Sequence, residues 1–152
     1  MAEYLNNAVQ SVALNSPLIF SSSIPCNKGY ILHENGTGIF ILRGIVNNQC
    51  AKFATYSVTF NGNVAIPTGG AISPVGIAIA VTGEPRLTSR AIYTPAAVDT
   101  YGNVTSTAII RVPRGCCFTV SVEYVSGSDD PTDTPTPVIN VQNSNLVINR
   151  IS

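Results

Sequence analysis

The sequence predicts an all-β chain folded as a sandwich or barrel, and three observations predict it. Short runs rich in Val, Ile, Thr, Tyr and Phe recur along the 152 residues, each bounded by Gly, Pro or Asn, the composition that suits a pleated, half-buried strand. Helical periodicity is nowhere sustained. Turn signals return about every eight to twelve residues, as in antiparallel sandwiches and barrels. A chain of this length buries roughly 68–70% of the surface its unfolded form exposes, enough for one core. No internal repeat or linker divides it, so residues 1–152 are read as one domain.

Residues 1–10 read as an N-terminal arm. The first strand is placed at 12–21, where Pro17 indicates an edge or a bulge because proline has no amide hydrogen for a ladder. Runs 30–34 and 39–44 flank Asn35-Gly36-Thr37-Gly38, and Asn-Gly between β-rich runs marks a hairpin. Over 54–60, Tyr56, Val58 and Phe60 alternate with Thr55, Ser57 and Thr59, so this strand has one buried face. Asn61-Gly62-Asn63 reads as a turn into 64–66, and Pro67-Thr68-Gly69-Gly70 breaks the chain again. In 77–81 the large residues share one face and Ala78 and Ala80 the other, which predicts a close backbone approach on the small side.

Thr82-Gly83-Glu84-Pro85 is a turn before a short segment at 90–93. Runs 104–112 and 118–125 flank Pro113-Arg114-Gly115, in which Pro presets φ and Gly accepts a positive one, and together they read as a long hairpin. Residues 126–137 hold three prolines and no apolar periodicity, the pattern of an exposed, mobile loop. Two closing strands, 138–141 and 146–151, are separated by Gln142-Asn143-Ser144-Asn145. The last is apolar to its end, which places it centrally in a sheet.

Composition narrows the function. Eight Lys and Arg balance eight Asp and Glu and are scattered singly, which argues against a nucleic-acid partner. Charged residues make up 11% of the chain, against roughly 25% in an average soluble domain. Thr, Ser, Asn and Gly must therefore cover much of the surface, an unusual state for a free monomer. No run approaches the ~18 apolar residues of a spanning helix, so no membrane partner is expected. The opening residues lack the basic-then-apolar pattern of a signal peptide, which predicts synthesis in a bacterial cytoplasm without one. For Cys26, Cys50, Cys116 and Cys117, that setting favours reduced thiols, with disulfides and a zinc site as alternatives.

No catalytic, cofactor or metal site is expected, and the chain is read as a non-enzyme. His33, the single histidine, has no recognisable nucleophile motif beside it and reads as an ordinary strand residue rather than a base. Asp129, Asp130 and Asp133 read as solvated loop charge, with weak calcium binding as the alternative. Asn35-Gly36-Thr37 and Asn103-Val104-Thr105 fit the glycosylation acceptor pattern but read as turn residues. The terminal strand and residues 39–42 are apolar on both faces, which asks for one cover from the domain's own core and another from a second copy of the chain. Tyr56, Phe60, Phe118, Val120 and Tyr124 are the candidate interface residues; the alternative is that they fill the protomer's own core.

The ordered set Val12-Ala13-Leu14-Asn15-Ser16-Pro17-Leu18-Ile19-Phe20, Gly36-Thr37-Gly38-Ile39-Phe40, Tyr56-Ser57-Val58-Thr59-Phe60-Asn61-Gly62-Asn63, Ile77 through Pro85 and Asn145 through Ile151 resembles one family. It is that of the complement-head and tumour-necrosis-factor-like jelly rolls, in the version that ends collagen-like spore-surface glycoproteins of Gram-positive bacteria. The likeness covers nearly the whole chain, while the Gly-x-y stalk and the spore-targeting segment of those glycoproteins are not among the 152 residues. The resemblance implies a jelly-roll sandwich of two antiparallel sheets and a compact homotrimer with chain ends on one side and loops at the opposite apex. The function expected is structural: a homotrimeric decoration or short fibre protein on a bacteriophage capsid. In that role Glu3, Tyr4 and Leu5 of the arm would meet a major capsid protein, and loop 126–137 would face outward from the virion surface. The alternatives are a spore- or cell-surface structural protein of a Gram-positive bacterium and a carbohydrate- or receptor-binding module.

Overall fold

The structure, a computed structural model, describes residues 1–24 and 29–152. The strands found among them are β1 (Ala2–Asn6), β2 (Gln10–Ala13), β3 (Ser22–Ile24), β4 (Ile31–His33), β5 (Phe40–Arg43), β6 (Phe53–Ala65), β7 (Val75–Val81), β8 (Glu84–Pro85), β9 (Ala91–Tyr93), β10 (Gly102–Pro113), β11 (Cys117–Ser126) and β12 (Val138–Arg150). They form two antiparallel sheets. Sheet 1 runs β10-β6-β12-β1-β3, with β2 also on β12, and sheet 2 runs β4-β5-β11-β7-β8, with β9 on β7. The long strands β6, β10 and β12 bury alternate residues, as expected where one face meets a core and the other does not. β7 is buried along its whole length.

The core lies between the sheets. Tyr56, Val58 and Phe60 of β6, Ile110 of β10 and Leu146 and Ile148 of β12 meet Phe40 and Leu42 of β5, Ile77 and Ile79 of β7 and Val122 and Tyr124 of β11, all without exposed surface. The 35–36 turn joins β4 to β5 as the Asn-Gly signal indicates, with Gly36 at φ 89°. β12 is central, between β6 and β1.

Several expectations are corrected. Residues 2–6 are no free arm: they form β1, paired with both β12 and β3. Of the strand expected at 12–21 only Val12 and Ala13 are regular, as the end of β2, and the chain then crosses between sheets, its Leu18 amide bonding the Val122 carbonyl at 2.8 Å. Asn61-Gly62-Asn63 is not a turn but the interior of β6. Gly62 faces inward there, where a Cβ would stand 2.7 Å from the Phe60 ring, so the glycine makes room for an aromatic two residues earlier. Residues 138–150 are likewise one strand, interrupted by a bulge between Gln142 and Asn145 with Asn143 at φ 55°. The segments around Pro113-Arg114-Gly115 do not pair as a hairpin, because β10 belongs to sheet 1 and β11 to sheet 2. The turn links the sheets.

Loop 127–137 is exposed at its tip but anchored at both ends. Arg90 Nη1 and Nη2 reach Asp129 at 3.0 and 3.2 Å, and Thr136 is buried, its amide bonded to Ser73 Oγ at 3.1 Å.

Candidate functional site

Of the residues singled out as an interface, Tyr56, Phe60, Val120 and Tyr124 are buried in the protomer itself and have no surface to offer a partner. Tyr56 Oη donates toward the carbonyls of Arg43 at 2.6 Å and Tyr30 at 3.2 Å, and Tyr124 Oη donates to Thr136 at 2.5 Å. Burial raises both phenols, Tyr124 to about 12. Phe118, in phase with Val120 and Tyr124, is half-buried and packs against the same core. Within the arm, Tyr4 is also a core residue, its ring edge-on to Phe40 at 4.6 Å. Glu3 and Leu5, one step out of phase, are half-buried on the opposite face of β1. Large side chains thus serve the protomer, because a sandwich of two sheets needs every bulky inward position to close its core.

The outer face of sheet 1 is broad and mostly small and polar. Strand register lays Thr107, Thr59, Val147, Glu3 and Ile24 in one row across five strands. A second row runs through Thr105, Asn61, Asn145, Leu5 and Ser22. Side-chain hydrogen bonds run across this face: Asn103 Nδ2 donates to Asn61 Oδ1 at 2.7 Å and Asn63 Oδ1 at 3.3 Å, and Thr107 and Thr59 hydroxyls meet at 3.4 Å. Ile109 is 50% exposed and Ile24 59%. Among the described residues on this face the charged side chains are Glu3 and Arg111, and both are engaged. Glu3 Oε1 accepts from Asn145 Nδ2 at 2.5 Å, and the Arg111 guanidinium lies 4.5 Å from the centre of the Phe53 ring. The signal for this face was present in the sequence as the Thr55, Ser57, Thr59 half of the alternating strand.

The remaining polar candidates are accounted for locally. His33 stacks on Phe40 at 4.2 Å, and its Nε2 stands 3.0 Å from the Thr37 carbonyl; since a carbonyl only accepts, Nε2 carries the hydrogen. Asp129 is held below the usual carboxylate range by its hydrogen bonds from Arg90, and Asp130 by the amide of Thr132. Asp133 accepts from Ser128 Oγ at 2.5 Å. No group of three or more His, Cys, Asp or Glu among the described residues is arranged to hold a metal. Asn35 lies in a turn as expected, whereas Asn103 lies within β10. Cys50, Cys116 and Cys117 are free and exposed, and Cys26 lies outside the described residues. Five of the eight basic residues, scattered in sequence, gather in space: Arg43, Lys52, Arg111, Arg114 and Arg150 meet at one end of the sandwich, where Phe53 pairs with Pro113, Arg150 with Tyr56 and Cys117 with Arg43.

Comparison with solved structures settles the architecture. The globular domain of zebrafish complement 1qA superposes with a TM-score of 0.57 at 16% identity, covering 99% of this chain and 97% of that one. Eiger TNF from S. frugiperda gives 0.59 at 11% identity, over 100% and 92% of the two chains. The chain has the jelly-roll fold of the C1q and TNF proteins. Murine APRIL is similar over 93% of this chain and 97% of its own, with a TM-score of 0.50 and 14% identity. No protein-family model matches the sequence, and no curated protein matches it.

Proposed function

We propose that this jelly roll is a non-catalytic assembly module: three copies close around a threefold axis through the outer face of sheet 1, and the trimer decorates a bacteriophage capsid as a head protein or short fibre. The observation that carries the assembly is that face, broad, nearly free of charge and studded with exposed Ile109 and Ile24. Burying Thr, Ser and Asn groups already bonded to each other costs far less than burying ions, and apolar contact returns about 25 cal/mol per Å². A contact between neighbours that turns each copy by a third of a circle closes into a ring of three, whereas one that does not close grows into a filament. The fold shared with the C1q and TNF proteins supports the same arrangement.

The virion reading adds a major capsid protein as partner and follows from the low total charge, which suits dense packing on a shell. The docking residues of the arm need revision under it. Tyr4 is inside the fold, so a capsid would meet loops at one end of the trimer, not a detached segment.

Two experiments test the two parts. Thr59→Lys places three like charges in the closed interface while leaving the core untouched, so light scattering should give a single-chain mass with an unchanged circular dichroism spectrum. An unchanged multimer would remove this face from the assembly. Immunogold labelling of particles and spores from the source organism should mark capsids; label confined to spores would replace the virion by the spore surface.

A further inference from the structure

We propose that Cys116 and Cys117 form a covalent cross-linking site through which this chain joins to other copies of itself by disulfide exchange. Cysteine is among the residue types most often buried, yet the turn between the sheets presents two adjacent thiols to solvent, with Cys50 also exposed in the neighbouring loop. That turn is fixed in place. Cys116 donates its amide to Pro113 at 3.0 Å and accepts from Gly44 at 2.8 Å, Gly115 donates to Gly44 at 3.0 Å, and the Arg114 amide bonds Lys52 at 2.9 Å. Arg114 Nη1 reaches the Gln49 carbonyl at 2.8 Å and ties the Cys50 loop to the same end. A shallow depression of about 130 Å³ opens there, lined by Arg43, Gly44, Ile45, Gly115, Cys116 and Cys117.

Two features suit this site to exchange between copies. Adjacent Cα atoms lie about 3.8 Å apart, short of the roughly 4.4–6.8 Å that an ordinary disulfide spans, so the neighbouring thiols do not satisfy each other. The surrounding cations, Arg43, Lys52, Arg111 and Arg114, face no Asp or Glu within segments 43–56, 111–117 and 148–152, and such a field draws in an anionic disulfide. The chemistry balances with a low-molecular-weight disulfide as oxidant. A cysteine thiolate attacks one sulfur of oxidised glutathione, the S–S bond breaks, and one glutathione leaves and takes up a proton. A thiolate of a second copy then attacks the protein sulfur of the mixed disulfide and expels the second glutathione. Two protein thiols are oxidised and one glutathione disulfide is reduced. Two linkage points per chain allow growth beyond pairs. This inference rests on thiol exposure and not on the threefold reading.

The test uses the full chain with Cys26→Ser and Cys50→Ser, incubated with oxidised glutathione and run on a denaturing gel without reductant. A ladder in steps of the 16.0 kDa chain is expected, collapsing under reductant. Adding either Cys116→Ser or Cys117→Ser should stop it at the dimer, and adding both should leave single chains. High salt should slow the ladder, since screening weakens the attraction of the anionic oxidant. A background protein that stays at one chain, or carries only glutathione adducts or an internal bridge, overturns the proposal. Light scattering under reducing conditions reports the non-covalent state separately, so loss of the ladder and loss of the trimer are told apart.

Discussion

Tyr124 shows how a residue suited by size and pattern to an interface becomes committed to the core. Its ring is fully buried, its hydroxyl is used by the Thr136 carbonyl at the root of loop 127–137, and burial raises its pKa to about 12 from 10.0. Tyr56 shifts in the same direction, first through burial. In the unfolded chain both ionise earlier, so the unfolded state loses protons first as pH rises. The stability Tyr124 contributes is complete below pH 10.0 and drains away between that value and about 12, and Tyr56 adds a loss of the same sign. For Tyr124 alone the loss is on the order of 2–3 kcal/mol. Urea denaturation should therefore show a falling midpoint across that alkaline window, and Tyr124→Phe should flatten the fall while costing about 1–3 kcal/mol at neutral pH through the orphaned carbonyl. A midpoint indifferent to alkali would refute this account of the buried phenols.

Strands were legible where local chemistry decides them and opaque where partners do. The 35–36 hairpin, the alternating stretch at 54–60 and the runs at 104–112 and 118–125 all appear as strands, because alternation and turn residues are local signals. Which sheet each strand joins is not local, and so the residues around 113–115 read as one hairpin although the turn between β10 and β11 crosses from one sheet to the other. The Asn-Gly rule failed at Asn61-Gly62 for a tertiary reason: Gly62 is an inward position emptied for the Phe60 ring. β1 is not legible because Asn6, Asn7 and Glu3 mask a two-residue alternation of Ala2 and Tyr4. The break expected at 142–145 is a bulge, and Asn143 supplies its positive φ of 55°. Asn143→Gly should therefore be tolerated, whereas Asn143→Val should cost about 1–2 kcal/mol, the penalty of a branched side chain in that region. Equal thermal midpoints for the two variants would show that the bulge does not require that backbone conformation.

Seen entire, the protomer is a closed sandwich with an unusual distribution of what remains outside. Its accessible surface of 7528 Å² is close to the ~7,400 Å² that size alone gives for a folded monomer of this mass. Two contacts of about 800 Å² each, one with either neighbour in a ring, would cover about a fifth of it. On the outer face of sheet 1 such cover costs little, since its polar groups bond each other and the two charges among its described residues are engaged. The candidate site was half legible. Scarce charge is legible in the sequence, but the large residues expected at a partner fill the core, and the side chains left on the outer face of sheet 1 are mostly small and polar. The cations gather at one end only through the register of β5, β6, β10, β11 and β12. Sedimentation equilibrium of the reduced, unmodified chain at micromolar concentration tests the central claim directly. Three times the 16.0 kDa chain mass is the predicted result, and a stable single chain at that concentration would contradict it.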